Sequence, residues 1–275
     1  MGLLRHIRNV SSLALLILLM QLAAISSEQV GLTPKILPAA VQTTTPAGLT
    51  IMTFNIHHGE GLDGTVNMKR IAALIAGEQA DIIALQEVDR YRLRSGFVDQ
   101  AKELADLLGM QMVFAPSLTY MVGQYGNVIL SRFPIKDHSY ELLPGKLETR
   151  SLLTATIQVG SESVQVAATH LGLSQADRTA QLARISEILA GSKEPQIVAG
   201  DFNMELESFL TKMDIMKLTN IPLRPTMKAT LADGKSIDDL FTNWPHIGSA
   251  WTIPTNYSDH FPVITRIPLG SWVRV

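Results

Sequence analysis

Asp201 and Asn203 stand two residues apart at the end of an apolar run, in the stretch IVAGDFNME that covers residues 197–205. Side chains two residues apart on an extended backbone share a face, so a carboxylate and an amide would lie side by side there. A hydrophobic core has no use for such a pair, whereas a site that handles a metal ion and a phosphate does. The spacing therefore predicts such a site at this strand end.

Five further apolar runs lie next to polar residues of the same chemical kind. These residues are Asn55, Glu87, His170, Asp238 and the neighbours Asp259 and His260. A single residue of this kind more often lies in a solvated turn, because short polar side chains favour turns. Six such positions in one chain favour a shared site instead.

The composition limits the chemistry of that site. The chain has 275 residues, 46% of them hydrophobic, which is enough for a sizeable globular core. It has no cysteine, so metal ligands must be carboxylate, amide or imidazole groups, which favour hard cations such as Mg²⁺, Ca²⁺ or Mn²⁺. The formal net charge of -2 is a poor basis for tight binding of nucleic acid.

Short apolar runs alternate with helical patterns along the chain. The predicted strands are 50–56, 81–86, 111–115, 127–131, 152–159, 164–170, 196–200, 236–241 and 262–267. The predicted helices are 67–78, 98–108, 175–189 and 205–216. Helices between strands predict a layered α/β fold, and a hairpin turn at 160–163 predicts substantial antiparallel pairing.

The N-terminal residues predict a targeting segment. Arg5 and Arg8 precede an almost uncharged apolar run, 10–25, with small residues at its end, so residues 1–27 are predicted to be an export signal. An uncleaved membrane anchor or a buried helix are the alternatives, since the run is only slightly too short to span a bilayer. Residues 28–48 predict a linker and 49–275 a single domain, exported and either secreted or anchored on the outer side of a membrane.

Five short motifs, TFN, LQE, THL, GDFN and SDH, occur in an order that resembles the endonuclease/exonuclease/phosphatase superfamily. That group includes deoxyribonuclease I, the abasic-site nucleases similar to exonuclease III, neutral sphingomyelinases and inositol polyphosphate 5-phosphatases. The resemblance spans residues 50–267 and includes the supporting stretches YGNVILSRFP and ETRSLL. It implies a single-domain, two-sheet α/β sandwich of the deoxyribonuclease I type, mixed and largely antiparallel.

The resemblance also implies a metal site. Glu87 matches the metal-binding glutamate of the family, with Asn55 beside it and Asp259 as a further acidic ligand. Carboxylate and amide oxygens suit octahedral Mg²⁺, which shares its ligand shell with substrate phosphate, so Mg²⁺ is the expected cofactor and Mn²⁺ or Ca²⁺ the alternatives.

Catalytic roles follow from the same resemblance. Asp201 matches the residue that positions or deprotonates the attacking water, and Asn203 the amide that orients it and contacts phosphate. His170 and His260 match two imidazoles that donate to phosphoryl oxygens. Asp238 matches the acid that holds His260, whose pKa should therefore be raised.

Other positions keep two interpretations open. Arg150 and Asn127 match family positions near the substrate phosphate, but Arg150 could instead form a surface ion pair with Glu148 and Asn127 could belong to a strand edge. His57 and His58 could touch substrate or remain solvated.

The chain departs from the family pattern near two motifs. Asp239 follows Asp238 where the family usually has His or Tyr, and it adds negative charge. After LQE come Arg90, Arg92 and Arg94, which predict either a phosphate-headgroup contact or a solvated loop.

The sequence therefore predicts a divalent-metal-dependent phosphoesterase. A lipid-headgroup or small-molecule phosphodiester is the favoured substrate, and an extracellular DNA or RNA endonuclease is the alternative within the family. A catalytically silent, membrane-tethered binding domain is the alternative of another class. The N-terminal segment could bring the chain to a membrane surface, and no protein partner is implied.

Overall fold

The computed structural model describes residues 47–192, 194–205, 229–244 and 248–269. Within these ranges the strands are β1 (Gly48–Asn55), β2 (Ile82–Arg90), β3 (Gln111–Thr119), β4 (Gln124–Ser131), β5 (Ile135–Leu143), β6 (Arg150–Val159), β7 (Glu162–His170), β8 (Gln196–Asp201), β9 (Asp238–Thr242), β10 (Ala250–Thr252) and β11 (Val263–Pro268). The helices are α1 (Met68–Gly77), α2 (Gln100–Leu108) and α3 (Gln175–Leu189).

The strands form two mixed sheets. One has the order β10-β11-β1-β2-β4-β3, and the other has the order β5-β6-β7-β8-β9. Two pairs are parallel, β1 with β2 and β7 with β8, and each is joined by a crossover that contains a helix. The remaining pairs between these strands are antiparallel, so the predicted mixed and largely antiparallel sandwich is confirmed.

Side chains that alternate between the two faces of each sheet divide the fold into four layers. Ile51 of β1 packs into the core between the sheets, whereas Met52 and Phe54 pack on the other face, against α1 and α2. In β8, Ile197 faces the same central core and Val198 packs towards α3. Because neighbouring side chains of a strand point to opposite faces, each sheet is buried on both sides and the order of layers is α/β/β/α.

Most predicted elements are present, with two strands missed. β5 was missed because it is an edge strand with mostly exposed residues and no apolar run, and β10 because it has only three residues. The predicted helix 205–216, the targeting segment 1–27 and nearly all of the linker 28–48 lie outside the described residues. Among the described helices, none is long and apolar enough to cross a membrane.

One edge of the sandwich collects the polar strand ends. β1 and β2 run parallel and end there, as do β7 and β8, while β9 runs antiparallel to β8 and therefore starts there. We call this edge, formed by the last residues of β1, β7 and β8, the Glu87 region of β2 and the first residue of β9, the carboxyl edge.

Candidate active site

Three acidic and imidazole groups lie in one row across the second sheet. His170 of β7 is paired in register with Asp201 of β8, which is paired with Asp238 of β9. Gly200 makes this close pairing possible, because a Cβ at that position would lie 2.1 Å from the Thr169 carbonyl oxygen. All three functional side chains are buried.

The first sheet contributes Asn55 and Glu87 to the same edge. Glu87 lies where the register between β2 and β4 shifts, between Leu85 and Val88, and its φ is 60°. A non-glycine residue in this region stores backbone strain, which surrounding structure must maintain, and such residues are common at functional sites. The bulge therefore places the Glu87 carboxylate at the edge while the rest of β2 stays in the core.

Asn55 links the two sheets through its side chain. Its Nδ2 donates to Glu87 Oε1 at 2.9 Å and to Asp201 Oδ2 at 3.0 Å, and its Oδ1 accepts from the backbone amide of His57 at 3.1 Å. Here Asn55 acts as a donor that holds two carboxylates together. Rotation of the amide by half a turn would present Oδ1 to the same place, as an oxygen ligand requires.

His260 is held in a charged state by acidic neighbours. Its Nδ1 lies 2.8 Å from Asp238 Oδ2, and its Nε2 lies 3.8 Å from Asp201 Oδ2. Burial alone would lower its pKa, but the hydrogen bond and charge of Asp238, with the charges of Asp201 and Asp259, raise the pKa to about 9. This direction agrees with the expectation from the sequence.

Burial shifts the pKa values of Asp201 and His170, in each case towards the neutral form. Burial, with the charge of Asp238, raises the pKa of Asp201 to about 7. Burial, with the charges of Arg150 and His260, holds the pKa of His170 well below its ordinary value, so this imidazole is neutral at pH 7. His170 Nε2 lies 3.4 Å from Asp201 Oδ2. A neutral imidazole and a charged one therefore flank the same carboxylate.

Asn203 occupies a constrained turn just after β8. Its φ is 51°, its backbone amide donates to Asp201 Oδ1 at 2.9 Å, and its Nδ2 donates to the Leu171 carbonyl at 2.8 Å. These two bonds fix the side chain beside Asp201 and leave its Oδ1 without a protein donor among the described hydrogen bonds.

Asp259 is the most accessible carboxylate of the site. Its side chain is half exposed and lies 3.9 Å from His57 Nδ1. The neighbouring Ser258 is fully buried, lies 2.8 Å from the Asn55 carbonyl oxygen and accepts from the His260 amide. Sequence reasoning gave Ser258 no role, although it is part of the SDH motif; it positions the two residues that follow it.

The donor set at the carboxyl edge fits a hard divalent cation. Glu87 offers a carboxylate and Asn55 an amide in contact with it, which are groups that Mg²⁺ prefers. The predicted ligand Asp259 lies beside His57 and is not one of the three residues grouped around Glu87 in the described part of the chain. Asp238 Oδ1 is buried without a hydrogen-bond partner in the described residues. Buried negative charge in excess of its partners is the electrostatic condition that a bound cation relieves.

Among the described residues, two groups of three His, Asp or Glu side chains have ligand atoms within 4.8 Å of one another. They are His57, His58 and Glu87, and Asp201, Asp238 and His260. The second group contains the buried histidine and acids described above. The first lies on the Glu87 side, where the metal site is expected.

Arg150 and Asn127 lie between the sheets near the same edge. Arg150 is buried and pairs with Glu148 at 3.3 Å, but its Nε and Nη1 make no hydrogen bond in the described residues. An incompletely paired guanidinium suits an anion. Asn127 donates to the Ser151 carbonyl at 3.0 Å and lies on β4, which is an internal strand, so the strand-edge interpretation is wrong.

His58 and Asp239 are buried and contact residues close to them in the chain. His58 is buried with its Nε2 3.2 Å from Glu60 Oε2, and burial, with the charges of Arg94 and His57, lowers its pKa. Asp239 is buried, follows Asp238 on the opposite face of β9, and accepts from the Leu240 amide at 2.8 Å.

The arginines after LQE divide into paired and unpaired ones. Arg90 pairs with Asp99 at 2.6 Å and Arg94 with Asp89 at 2.7 Å. Arg92 instead stacks on a tyrosine and has no ion pair in the described part of the chain. The sequence left a phosphate-headgroup contact or a solvated loop open for the three arginines together, and the structure separates them.

Tyr125 is a further residue at the site to which the sequence gave no role. It is buried at the start of β4, and burial, with the charge of Glu87, raises its pKa. It lies in the YGNVILSRFP stretch, so a signal existed. Its phenol is neutral and lies in the field of Glu87 and Arg150.

Comparisons with known proteins show which family this chain resembles. A family model described as the PGAP2IP, C-terminal nuclease-like domain matches residues 47–217. The Escherichia coli K12 protein YbhP is 30% identical over 250 residues, which cover 81% of this chain and 90% of that protein.

Solved structures show the same fold. An endonuclease/exonuclease/phosphatase of Beutenbergia cavernae has 26% identity and a TM-score of 0.66, covering 82% of this chain and 72% of its own. A mannosyl-6-phosphatase of Bacteroides thetaiotaomicron has 16% identity and a TM-score of 0.61, covering 79% of this chain and 98% of its own.

Proposed function

The chain belongs to the endonuclease/exonuclease/phosphatase superfamily, whose members typically hydrolyse phosphate esters, and on that premise we propose that it is a divalent-metal-dependent phosphoesterase. Its proposed reaction is hydrolysis of a phosphodiester, of the lipid-headgroup or small-molecule type, by in-line attack of water. The observation that carries this proposal is the contact of Asn55 Nδ2 with both Glu87 and Asp201, which joins a metal-type carboxylate to a base-type carboxylate across two sheets.

Asp201 is proposed as the base. It is buried, and its pKa of about 7 means that at neutral pH a large fraction is ionised and still basic enough to accept a proton from water. The Asn203 amide holds Asp201 Oδ1, which leaves Oδ2 as the oxygen that faces Asn55 and the two imidazoles. Water bound at Oδ2 would be oriented by the same groups.

His260, His170 and Asn203 are proposed to stabilise the transition state. His260 is charged at neutral pH, and with Nδ1 held by Asp238 its Nε2–H can donate to a phosphoryl oxygen. Neutral His170 can donate one further N–H. Both are buried, and in a site of low dielectric such donors stabilise developing negative charge more strongly than they would in water.

Glu87, Asp259 and Asn55 would hold the cation. When bound, a divalent ion would supply positive charge to the phosphate oxygens and a fixed point for orientation. Arg150 is proposed as a second contact for the phosphate, because its Nε has no partner in the described residues and its Nη1 has the ion pair with Glu148 but no hydrogen bond.

The charge balance supports a small or lipid phosphodiester over a polyanion. Without the predicted signal the chain keeps 21 basic residues, 23 less Arg5 and Arg8, against 25 acidic ones. Polynucleotide binding takes several free cations along the strand, whereas Arg90 and Arg94 are each paired with an aspartate. A single phosphodiester needs only the cation, the histidines and Arg150.

A matched pair of glutamate variants tests the proposal. The purified chain is assayed on a soluble phosphodiester, sphingomyelin, a phosphomonoester and plasmid DNA, with Mg²⁺, Mn²⁺ or Ca²⁺ and with excess chelator. Glu87→Gln should remove most ion-dependent turnover, by on the order of 10²-fold, because one ligand carboxylate is lost. Glu187→Gln, on the exposed surface of α3, should retain the activity.

Each outcome decides between the candidate functions. Full activity of Glu87→Gln, or undiminished wild-type activity in chelator, contradicts the metal role. No turnover of any ester with any ion favours the silent binding domain. Efficient plasmid cleavage that falls steeply between low and physiological salt favours the nuclease.

A further inference from the structure

Two neighbouring loops beside the carboxyl edge expose apolar side chains. They are residues 91–98, which follow β2, and residues 119–123, which comprise the last residue of β3 and its connection to β4. We call their shared surface the apolar rim. Of the twelve large hydrophobic residues that are exposed in the described part of the chain, seven lie in these two loops.

The most exposed of these residues lie at the loop tips. Met121 is fully exposed, Leu93 is 75% exposed, and Phe97 and Val122 are each more than half exposed. Scattered single hydrophobic residues on a surface are ordinary, whereas a contiguous group usually marks a binding surface. The grouping of exposed apolar side chains in two loops therefore indicates a binding surface.

The two loops are held together as one surface. The Arg92 guanidinium stacks over the Tyr120 ring at 3.4 Å, and its Nη1 donates to the Val122 carbonyl at 3.4 Å. Gly123, with a φ of 82°, lies so close to the other loop that a Cβ there would be 2.5 Å from the Arg90 carbonyl oxygen. The apolar tips are thus fixed relative to each other.

The charged side chains of the rim are all basic. Residues 91–98 and 119–123 contain two arginines and no acidic residue. Arg94 turns back to Asp89, whereas Arg92 has no ion pair among the described residues. The surface therefore combines aliphatic and aromatic tips with net positive charge.

The rim adjoins the proposed metal side of the site. Residue 91 follows β2 four residues after Glu87. In the same loop, the hydrogen bond to Asp89 is the main cause that raises the pKa of Arg94, and the charge of Glu87 is the smallest. A molecule bound at the rim would therefore lie next to the entrance of the carboxyl edge.

We propose that the apolar rim docks the protein onto a lipid bilayer with anionic headgroups, with Leu93, Phe97, Met121 and Val122 inserted at the headgroup boundary and Arg92 at headgroup level. Apolar side chains of this kind enter the interface while arginine stays with the phosphates. The docking does not rest on the proposed function, since it requires no turnover.

Nucleic acid fits this surface less well. Stacking on bases requires planar rings, which Tyr91, Phe97 and Tyr120 offer, but the two most exposed tips, Met121 and Leu93, have none. A polyanion would also require several free cations, and the rim offers one unpaired arginine, Arg92. A bilayer uses aliphatic tips and needs little charge.

The absence of cysteine from the chain allows a site-specific test. Met121→Cys in the full chain is labelled with an environment-sensitive fluorophore and mixed with phosphatidylcholine vesicles, with or without phosphatidylglycerol. The control is Ala76→Cys, exposed at the end of α1, beside the opposite end of β2, roughly 25 Å from the rim at the rise of a strand.

The fluorescence emission of the label at 121 should shift to the blue and be quenched by nitroxide lipid, and both effects should be stronger with phosphatidylglycerol. The emission of the label at 76 should remain that of a fluorophore in water. Because both variants retain the N-terminal apolar run, attachment through that run alone would affect the two labels similarly, which would contradict the proposal. A response to a single-stranded oligonucleotide but not to vesicles would also overturn it.

A paired substitution measures the contribution of the tips. Leu93→Ser with Met121→Ser, read from a label at Thr119→Cys, should raise the lipid concentration for half-maximal docking at least ~10-fold. Tyr140→Ser with Leu142→Ser, exposed on edge strand β5, should leave it unchanged. Equal docking of the two pairs would refute the role of the rim.

Two activity controls separate this proposal from the proposed function. Glu87→Gln should dock as the wild type does, and the rim pair should keep turnover of a soluble ester. Loss of docking with Glu87→Gln alone would mean that the lipid binds in the site and not at the rim.

Discussion

The carboxyl edge and the apolar rim are neighbours that reverse the usual distribution of side chains. At the edge, carboxylates and imidazoles such as Asp201, Asp238 and His260 are buried. At the rim, a few residues beyond Glu87, Leu93 and Met121 are exposed. Buried charges and contiguous exposed apolar groups are the two informative exceptions to the rule that apolar side chains lie inside.

The two exceptions are maintained differently. The edge compensates its buried charge internally, because Asn55 holds two carboxylates and Asp238 holds His260. The raised pKa of Asp201 shows that this compensation is incomplete. The rim has no internal compensation, since nothing in the described chain covers its tips. The buried charges of the edge thus lower the folding stability of the protein at the position of the proposed reaction. The exposed side chains of the rim hardly change the folding stability, and only an external partner could cover them.

The largest expected effect comes from neutralising Asp201. Asp201→Asn removes the proposed base and should lower kcat on the best substrate by on the order of 10²-fold or more, with little change in KM. The same change should not lower the melting temperature of the metal-free protein at pH 8, because the ionised Asp201 is destabilised by burial and by Asp238. Steady-state kinetics and thermal unfolding in chelator measure both.

Asp137→Asn, on the exposed face of β5, serves as the control and should change neither quantity. If Asp201→Asn kept kcat and lost only affinity, Asp201 would be a binding residue. A marked loss of stability would mean that the edge is structural.

An intermediate effect is expected on the pH dependence of stability. The folded-state pKa of His260, about 9, lies above its ordinary value of 6.5, so its stabilising contribution is complete below pH 6.5 and is lost as pH rises through 9. The metal-free protein should therefore lose about 2 kcal/mol of unfolding free energy between pH 7 and pH 9, or about 5 °C in Tm. Thermal unfolding across this range in chelator measures it.

Asp238→Asn provides the comparison, because it removes the hydrogen-bonded charge that raises the pKa of His260. Its stability should vary less over the same pH range. Parallel curves for the two proteins would assign the pH dependence to other groups.

Local patterns in the sequence predicted the layered α/β fold and the polar strand ends, whereas the two-sheet sandwich was implied by the resemblance of the motifs to the family. Apolar runs that stop at Asn55, His170 and Asp201 follow from strand alternation, and parallel strands bring their ends to one edge. Strand β5 was not predicted, because an edge strand with mostly exposed residues has no alternating hydrophobic pattern.

Details set by tertiary contacts could not be predicted. The bulge that places Glu87 depends on the register with β4, and the direction of the Asn55 amide depends on contacts with residues far along the chain. The charge state of His170 results from burial beside Arg150, which no local pattern indicates. The sequence singled out only Arg92 and Arg94 of the rim, because its apolar tips come from two separate loops.

Substitutions in the rim should have the smallest effect on the free energy of unfolding, in contrast to substitutions of buried residues. Leu93→Ser with Met121→Ser removes apolar side chains that are exposed in the folded protein, so little buried area is lost. Surface substitutions of this kind usually change stability by no more than about 0.5 kcal/mol, and the unfolding free energy in denaturant should stay within that limit. Phe54→Ala, which empties a fully buried position in the core, should cost about 3–5 kcal/mol in the same assay. If the rim pair instead destabilised the protein by more than about 1 kcal/mol, its tips would be part of the internal packing, and the reason to assign them an external partner would disappear.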